Sequence, residues 1–228
     1  NFVKKFKVLS FGKLKISYGT TGNDQIGDYK FLNLYNSTGA AIAYQGINGL
    51  MVSGLTNPNL QWEETKKLNL GIDVGFFDNR ILLNTDYAYN RSSNELAGFS
   101  LPFITGFGSV TENIPALIQN TSAEFTLTTV NIKSQDFNWS SSFNLTIPNN
   151  KLIAYYGTLP GTLVIGQPLG LIKAYKFLGV DPTSGLYTFA DSKGNPTSNP
   201  VSSDQTQIVN AAFPKYYGGI QNNFRYIE

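Results

Sequence analysis

FNWSSSFNLTI, residues 137–147, puts Phe137, Trp139, Phe143, Leu145 and Ile147 at odd positions and Asn138, Ser140, Ser142, Asn144 and Thr146 at even ones. A period of two describes a strand with one apolar and one wet face. Three more stretches repeat the pattern. Leu68, Leu70, Ile72, Val74 and Phe76 interleave with Asn69, Gly71, Asp73 and Gly75. Ile81, Leu83, Tyr87 and Tyr89 oppose Asn84, Asp86 and Asn90, and Ala123, Phe125 and Leu127 oppose Glu124, Thr126 and Thr128. A soluble sandwich also alternates, so this pattern alone does not place the chain in a membrane.

Composition points the same way. The chain of 228 residues carries 13 Tyr, 16 Phe and 22 Gly against only 14% charged residues, a vocabulary of strands and turns rather than helices. We therefore expect an all-β protein. No apolar run is long enough for a transmembrane helix, and the opening NFVKKFKVLSFGK lacks the apolar core of a signal peptide. The net charge is +2, with basic residues scattered apart from Lys4, Lys5 and Lys7. Those three suit a solvated edge or a headgroup contact, and without a clustered basic face no nucleic-acid partner is expected.

The connections come in two lengths. Strands 66–77 and 80–91 are joined by Asp78-Asn79, and strands 121–132 and 136–147 by Lys133-Ser134-Gln135, both read as tight hairpins. Long connections are expected between Gly19 and Trp62, between Arg91 and Thr121, and over 148–168 and 190–213. Short turns at one end and long loops at the other are the layout of an outer-membrane barrel, whose strands also alternate an apolar outside with a polar lumen. Further strands are expected at 13–19, 169–178, 185–190 and 214–227. That makes about seven to eight antiparallel strands with no closing partner evident, an incomplete barrel.

LKISYGTTGN (14–23), NPNLQWEETKKLNLGIDVGFFDNRILLNTDYAYNRSSNEL (57–96), LPFITGFGSVTEN (101–113) and AFPKYYGGIQNNFRY (212–226) resemble, in content and order, the SusC/RagA-like family of TonB-dependent outer-membrane transporters of Bacteroidetes. The resemblance implies a transmembrane barrel of 22 strands with a plugged lumen. This chain, over 1–228, would be part of the C-terminal half of that barrel domain, without the plug and the closing strands. It also implies import of oligosaccharides or peptides, energised by TonB through the plug, with a SusD-like surface lipoprotein as lid, in a bacterial outer membrane. Outer-membrane lipid would be a further partner, and two transporter–lipoprotein assemblies could pair as a homodimer. Ser122 and Pro115 stand where the family usually has glycine, both expected in an extracellular loop or its junction.

Catalytic chemistry finds little support. With no His and no Cys, Ser-His-Asp and Cys-His constellations and the commonest zinc sites are excluded. Glu63 and Glu64 are adjacent, hence on opposite faces of a strand, so we expect no enzyme and no resident cofactor. Asp181–Gly185 and Asp191–Asn195 read as turns whose oxygens could gather calcium only in an extracellular loop. Asn69, Asp73, Asp86, Glu124 and Asn138 are the expected lumen-facing polar residues, opposite a lipid-facing row of Leu68, Val74, Phe125 and Trp139.

The loop aromatics Tyr29, Tyr35, Tyr44, Phe99, Phe107, Tyr155 and Tyr156 are candidates for contact with substrate or lid, since rings bury much area and Tyr keeps a polar tip. Alternatively, loops of this length use their rings as a private core, a reading that suits Phe103 and Phe107 best. Two rivals to transport remain open at this level. One is a passive or adhesin-like outer-membrane barrel, and the other a secreted glycan-binding β-sandwich.

Overall fold

The computed structural model describes residues 8–23, 29, 31–39, 43–210 and 214–226. Lys4, Lys5 and Lys7 lie outside them. Thirteen strands follow one another along the described chain: β1 (Leu9–Asn23), β2 (Tyr35–Ser37), β3 (Leu50–Val52), β4 (Glu63–Phe76), β5 (Ile81–Ser100), β6 (Ser109–Lys133), β7 (Phe137–Tyr155), β8 (Leu171–Ala174), β9 (Phe177–Val180), β10 (Tyr187–Ala190), β11 (Pro196–Thr197), β12 (Gln207–Asn210) and β13 (Tyr217–Tyr226). Six of them form one antiparallel sheet in the order β1-β4-β5-β6-β7-β13. The rest make small satellite sheets in the connections.

The register turns alternation within strands into two continuous faces. Leu14, Ile72, Thr85, Phe125, Leu145 and Gly218 lie directly opposite one another across all six strands, and Val74, Leu83, Leu127, Phe143 and Ile220 form the next such row. The reverse face carries Lys15, Gly71, Asp86, Glu124 and Thr146 in one row. Among the described residues no second layer covers the apolar face: Leu14, Ile16, Ile72, Ile220 and Phe224 remain exposed. A sandwich would bury that face against a sheet about 10 Å away, so the sandwich expectation fails. This is the all-β, antiparallel wall of a transmembrane barrel. Within the described residues it stays open, because β1 pairs only with β4 and β13 only with β7.

One group of polar side chains on the apolar face satisfies itself, as a hydrocarbon surrounding favours. Near the short turns Thr129 Oγ1 donates to Asn131 Oδ1 (2.9 Å), Asn131 Nδ2 to Ser141 Oγ (2.7 Å), and Ser141 Oγ to Asn222 Oδ1 (2.6 Å). Trp139 Nε1 donates to the same Asn222 oxygen at 3.2 Å, and its ring stacks on Phe224 with centroids 5.7 Å apart.

Several expectations are corrected. Five of the six wall strands run 14 to 25 residues, beyond the expected 66–77, 80–91, 121–132 and 136–147 and beyond the roughly ten a bilayer crossing needs, whereas β13 has ten. The expected loop between Arg91 and Thr121 is a β-ribbon, with β5 paired to β6 as far as Ser100 and Ser109, so Phe99 is a strand residue opposite Val110. Strand β7 likewise continues through 148–155, making Tyr155 its last residue. Ser122 pairs with Ala88 and Pro148, and Pro115 also lies within β6, so both departures from the family pattern sit in a strand and not in a loop. The segment 169–178 is two strands, because β8 pairs with β12 and β9 with β10. Among the described residues the wall therefore has six strands, where seven to eight are expected from the sequence.

The Asp78-Asn79 turn is also longer than two residues. Phe77, Asp78 and Asn79 are all left-handed (φ 53, 54 and 62°), and Arg80 N–H closes the turn onto Phe77 O. Contacts from the start of β1 hold this strained path: Phe77 N–H donates to Val8 O and Asn79 N–H to Ser10 Oγ.

At the opposite end the segment before β4 is pinned to the ribbon by one side chain. Asn113 accepts from Gln61 N–H (2.8 Å) and donates to Gln61 O and Asn94 O (both 2.8 Å). Asn57 Nδ2 adds a bond to Thr111 O at 3.2 Å. The motif residues of 57–61 and 111–113 thus fasten a loop.

Candidate substrate-facing wall

The polar face of the sheet is a hydrogen-bonded surface rather than a set of independent side chains. Lys15 Nζ reaches across β4 to Asp73 Oδ1 (2.9 Å) and Asp86 Oδ1 (3.2 Å), and Asn84 Nδ2 donates to the same Asp73 oxygen at 2.9 Å. Gly71 makes this possible, since it lies between Lys15 and Asp86 in register and a Cβ there would overlap both the Asp86 carboxylate and Lys15 Cε. Asn69 Nδ2 approaches Ser17 Oγ at 3.4 Å, and Ser122 Oγ approaches Glu124 Oε1 at 3.4 Å.

One turn further toward the long connections, three asparagines from adjacent strands stand in a row. Asn90 is opposite Asn120, and Asn120 opposite Asn150. Asn150 Nδ2 donates to Asn120 Oδ1 (2.6 Å), and Asn150 Oδ1 accepts from Leu169 N–H (2.9 Å). At the other end of the ladder Asn90 Oδ1 is buried with no hydrogen-bond partner among the described residues. A depression of about 180 Å³ lies over the row, also lined by Ser122 and Pro148. Above it the same face closes over a small apolar cluster, Ala116, Ile118 and Leu152, covered by Leu163 and Leu169 from the connection after β7.

The expected polar residues Asn69, Asp73, Asp86 and Glu124 thus share one face, with Asp86 directly opposite Glu124. Asn138 belongs to the same face but lies at the short-turn end, opposite Lys133 and Arg225, away from the Lys15 network. The aromatics do not gather. Tyr29, Tyr35, Tyr44 and Tyr156 are exposed at separate places, whereas Phe99 and Phe107 are half-buried and Tyr155 packs on the Ile118–Leu152 cluster. Phe103, read as a private-core ring, is fully exposed at the ribbon tip.

Sequence reasoning missed Lys15, Gly71 and the amide row, since each depends on pairing between distant segments. It also missed the edge-to-face run Tyr175–Phe189–Phe177–Tyr187 on the β9–β10 hairpin.

Outside the apolar band, three carboxyls are displaced from their ordinary values. Burial raises that of Glu95, and the neighbouring Glu63 raises it further. Asp181 is held low by the N–H groups of Ser184 and Thr183, and Asp191 chiefly by that of Asn195. Both are turn carboxylates occupied by their own backbone.

No protein-family model matches the chain. Relatives do. TonB-dependent receptor P3 of Formosa agariphila is 31% identical over 99% of this chain and 25% of its own length. TonB-dependent receptor SusC of Bacteroides thetaiotaomicron is 31% identical over 69% of this chain and 16% of its own. A chain of the RagAB peptide transporter superposes with a TM-score of 0.81 at 27% identity, over 99% of this chain and 26% of that one. The chain spans about a quarter of the length of the full-coverage relatives. Joined to a six-stranded wall with one apolar and one polar face, these likenesses identify the chain as a member of the SusC/RagA-like family of TonB-dependent receptors.

Proposed function

We propose that this chain is an arc of the barrel domain of an outer-membrane, TonB-dependent active transporter. The whole receptor imports oligosaccharides or peptides, and a SusD-like lipoprotein closes its extracellular side. The observation that carries this reading is the pair of unlike faces held in register across six strands, the apolar one unpartnered. In a barrel the apolar face meets lipid and the polar face lines the lumen. On the outward side of β4 the apolar band runs from Leu68 to Phe76, about 27 Å along the strand and about 20 Å along the membrane normal at a tilt near 40°, close to the height of such a band.

On this reading Asn69, Asp73, Asp86, Glu124 and Asn138 face the lumen, and the Asn90–Asn120–Asn150 row offers amide donors and acceptors to hydroxyl or peptide groups. The exposed rings of Tyr29, Tyr35, Tyr44 and Tyr156 face the lid or the incoming substrate. Phe99, Phe107 and Tyr155 support the loops instead.

Uptake by cells expressing the complete receptor tests the proposal. Import should stop when the proton-motive force is collapsed or TonB is removed, whereas import that persists under both conditions would favour the passive barrel.

A further inference from the structure

The apolar face ends abruptly at a cationic row. Directly beyond the row Tyr18, Leu68, Tyr89, Thr121 and Asn149, aromatic and apolar on β1, β4 and β5 and polar on β6 and β7, the next outward-facing row reads Thr20, Lys66, Arg91, Gln119 and Lys151. These basic residues are scattered in sequence, and only the pairing aligns them.

Three features set the row apart from an ordinary solvated edge. First, Lys66 and Arg91 are directly opposite one another, an arrangement of like charges that destabilises a strand pair unless an anion sits between them. Second, the local countercharge is incomplete. Lys66 has Glu64 at 3.5 Å, but among the described residues neither Arg91 nor Lys151 has an ion-pair partner. Arg91 instead rests over the Tyr89 ring at 5.4 Å and reaches Gln119 Oε1 only at 3.5 Å. Third, four residues below on the same face, about 13 Å along the strands, an apolar groove of about 520 Å³ opens between Leu14, Ile16, Leu70, Ile72, Tyr87 and Phe125.

A positive row above an aromatic rim above an aliphatic groove matches the charge and shape of an anionic amphiphile. We propose that the outward face of β4–β7 is a binding site for a phosphate-bearing lipid of the outer leaflet. Its phosphate lies between Lys66 and Arg91, with Lys151 as a second cation two strands from Arg91, and an acyl chain lies in the Leu70–Phe125 groove. The guanidinium of Arg91 suits bidentate phosphate binding, and its seat on Tyr89 orients it. This inference rests on the outward face being the lipid face.

The test uses the complete receptor in phosphatidylcholine nanodiscs, with retention of added lipid A followed by native mass spectrometry. Wild-type receptor should retain lipid A at least about tenfold more strongly than the K66Q/R91Q/K151Q variant. Dephosphorylated lipid A should bind no better to wild type than to the variant, and excess inorganic phosphate should not displace lipid A. Lys67→Gln, next in sequence but on the opposite face, should bind as wild type. Equal retention by wild type and triple variant, or equal retention of the dephosphorylated lipid, overturns the proposal, and displacement by inorganic phosphate reduces the site to an anion site. Lipid accessibility of Phe125 in the same nanodiscs separates this failure from failure of the transporter reading. A lipid-exposed Phe125 with unselective retention sinks only the lipid site, whereas a water-exposed Phe125 sinks both.

Discussion

At the scale of single residues, two glycines of the wall carry different burdens. At Gly71 an added methyl meets the ends of Lys15 and Asp86, which can swing away, but at Gly218 it meets the backbone oxygen of Asn144, which cannot. Gly71→Ala should therefore leave the sheet intact and separate Lys15 from Asp86, while Gly218→Ala should loosen β7–β13 by about 1–3 kcal/mol. Thermal unfolding with amide exchange of β7 and β13 distinguishes the two outcomes. The displaced carboxyls predict opposite responses to acid. The stability contributed by Glu95, whose folded pKa is raised, is fully present below its ordinary 4.5 and is lost as pH rises through the raised value. The contributions of Asp181 and Asp191, whose folded values are depressed, are present above the ordinary 3.8 and are lost as pH falls through the depressed values. Exchange measured from pH 7 down to pH 3 should show the β4–β5 junction tightening first and the β9–β11 hairpin loosening afterwards. Glu95→Gln should abolish the first response only.

At the scale of elements, the ribbon of β5 and β6 stands well past the apolar band and holds the segment before β4 through Asn113. Asn113→Ala removes three hydrogen bonds to the backbone of Gln61 and Asn94 and, because Gln61 is exposed and its freed groups are hydrated, should cost about 0.5–1.5 kcal/mol. The measurable sign is faster exchange over 57–61 with β6 below Thr121 unchanged. The cores of β4 to β7, with their faces, are legible because alternation is local and most outward residues of the band are apolar. Beyond the band that alternation ends. Residues 91–100 and 109–120 pair without a regular alternation and with a register shift between Ser93 and Glu95, so their mixed sequence reads as a loop. The run 169–178 reads as one strand because apolar residues recur along its whole length around Lys173 and Lys176, yet its halves find different partners. In the site, alternation puts Asp73, Asp86 and Glu124 on one face, but Lys15 joins them only through a register that depends on β1, β4 and β5 together. The exposure of Phe103 depends on a ribbon length that no local motif announces.

At the scale of the whole molecule, the account depends on which medium meets which face. Phe125 is mid-band on the outward side of β6, so Phe125→Arg should cost about 2–4 kcal/mol in lipid, whereas Thr126→Arg on the reverse face should be tolerated. Folding yield into vesicles reads that difference. The face assignment itself is open to a more direct measurement. The chain has no cysteine, so single cysteines at 123, 124, 125, 126 and 127 of the complete receptor can carry spin labels one at a time in lipid. Oxygen accessibility, which marks lipid, should be high at 123, 125 and 127, and accessibility to a water-soluble nickel chelate should be high at 124 and 126. A series with no period of two, or with water contact at 123, 125 and 127, would contradict the membrane wall and every functional statement built on it.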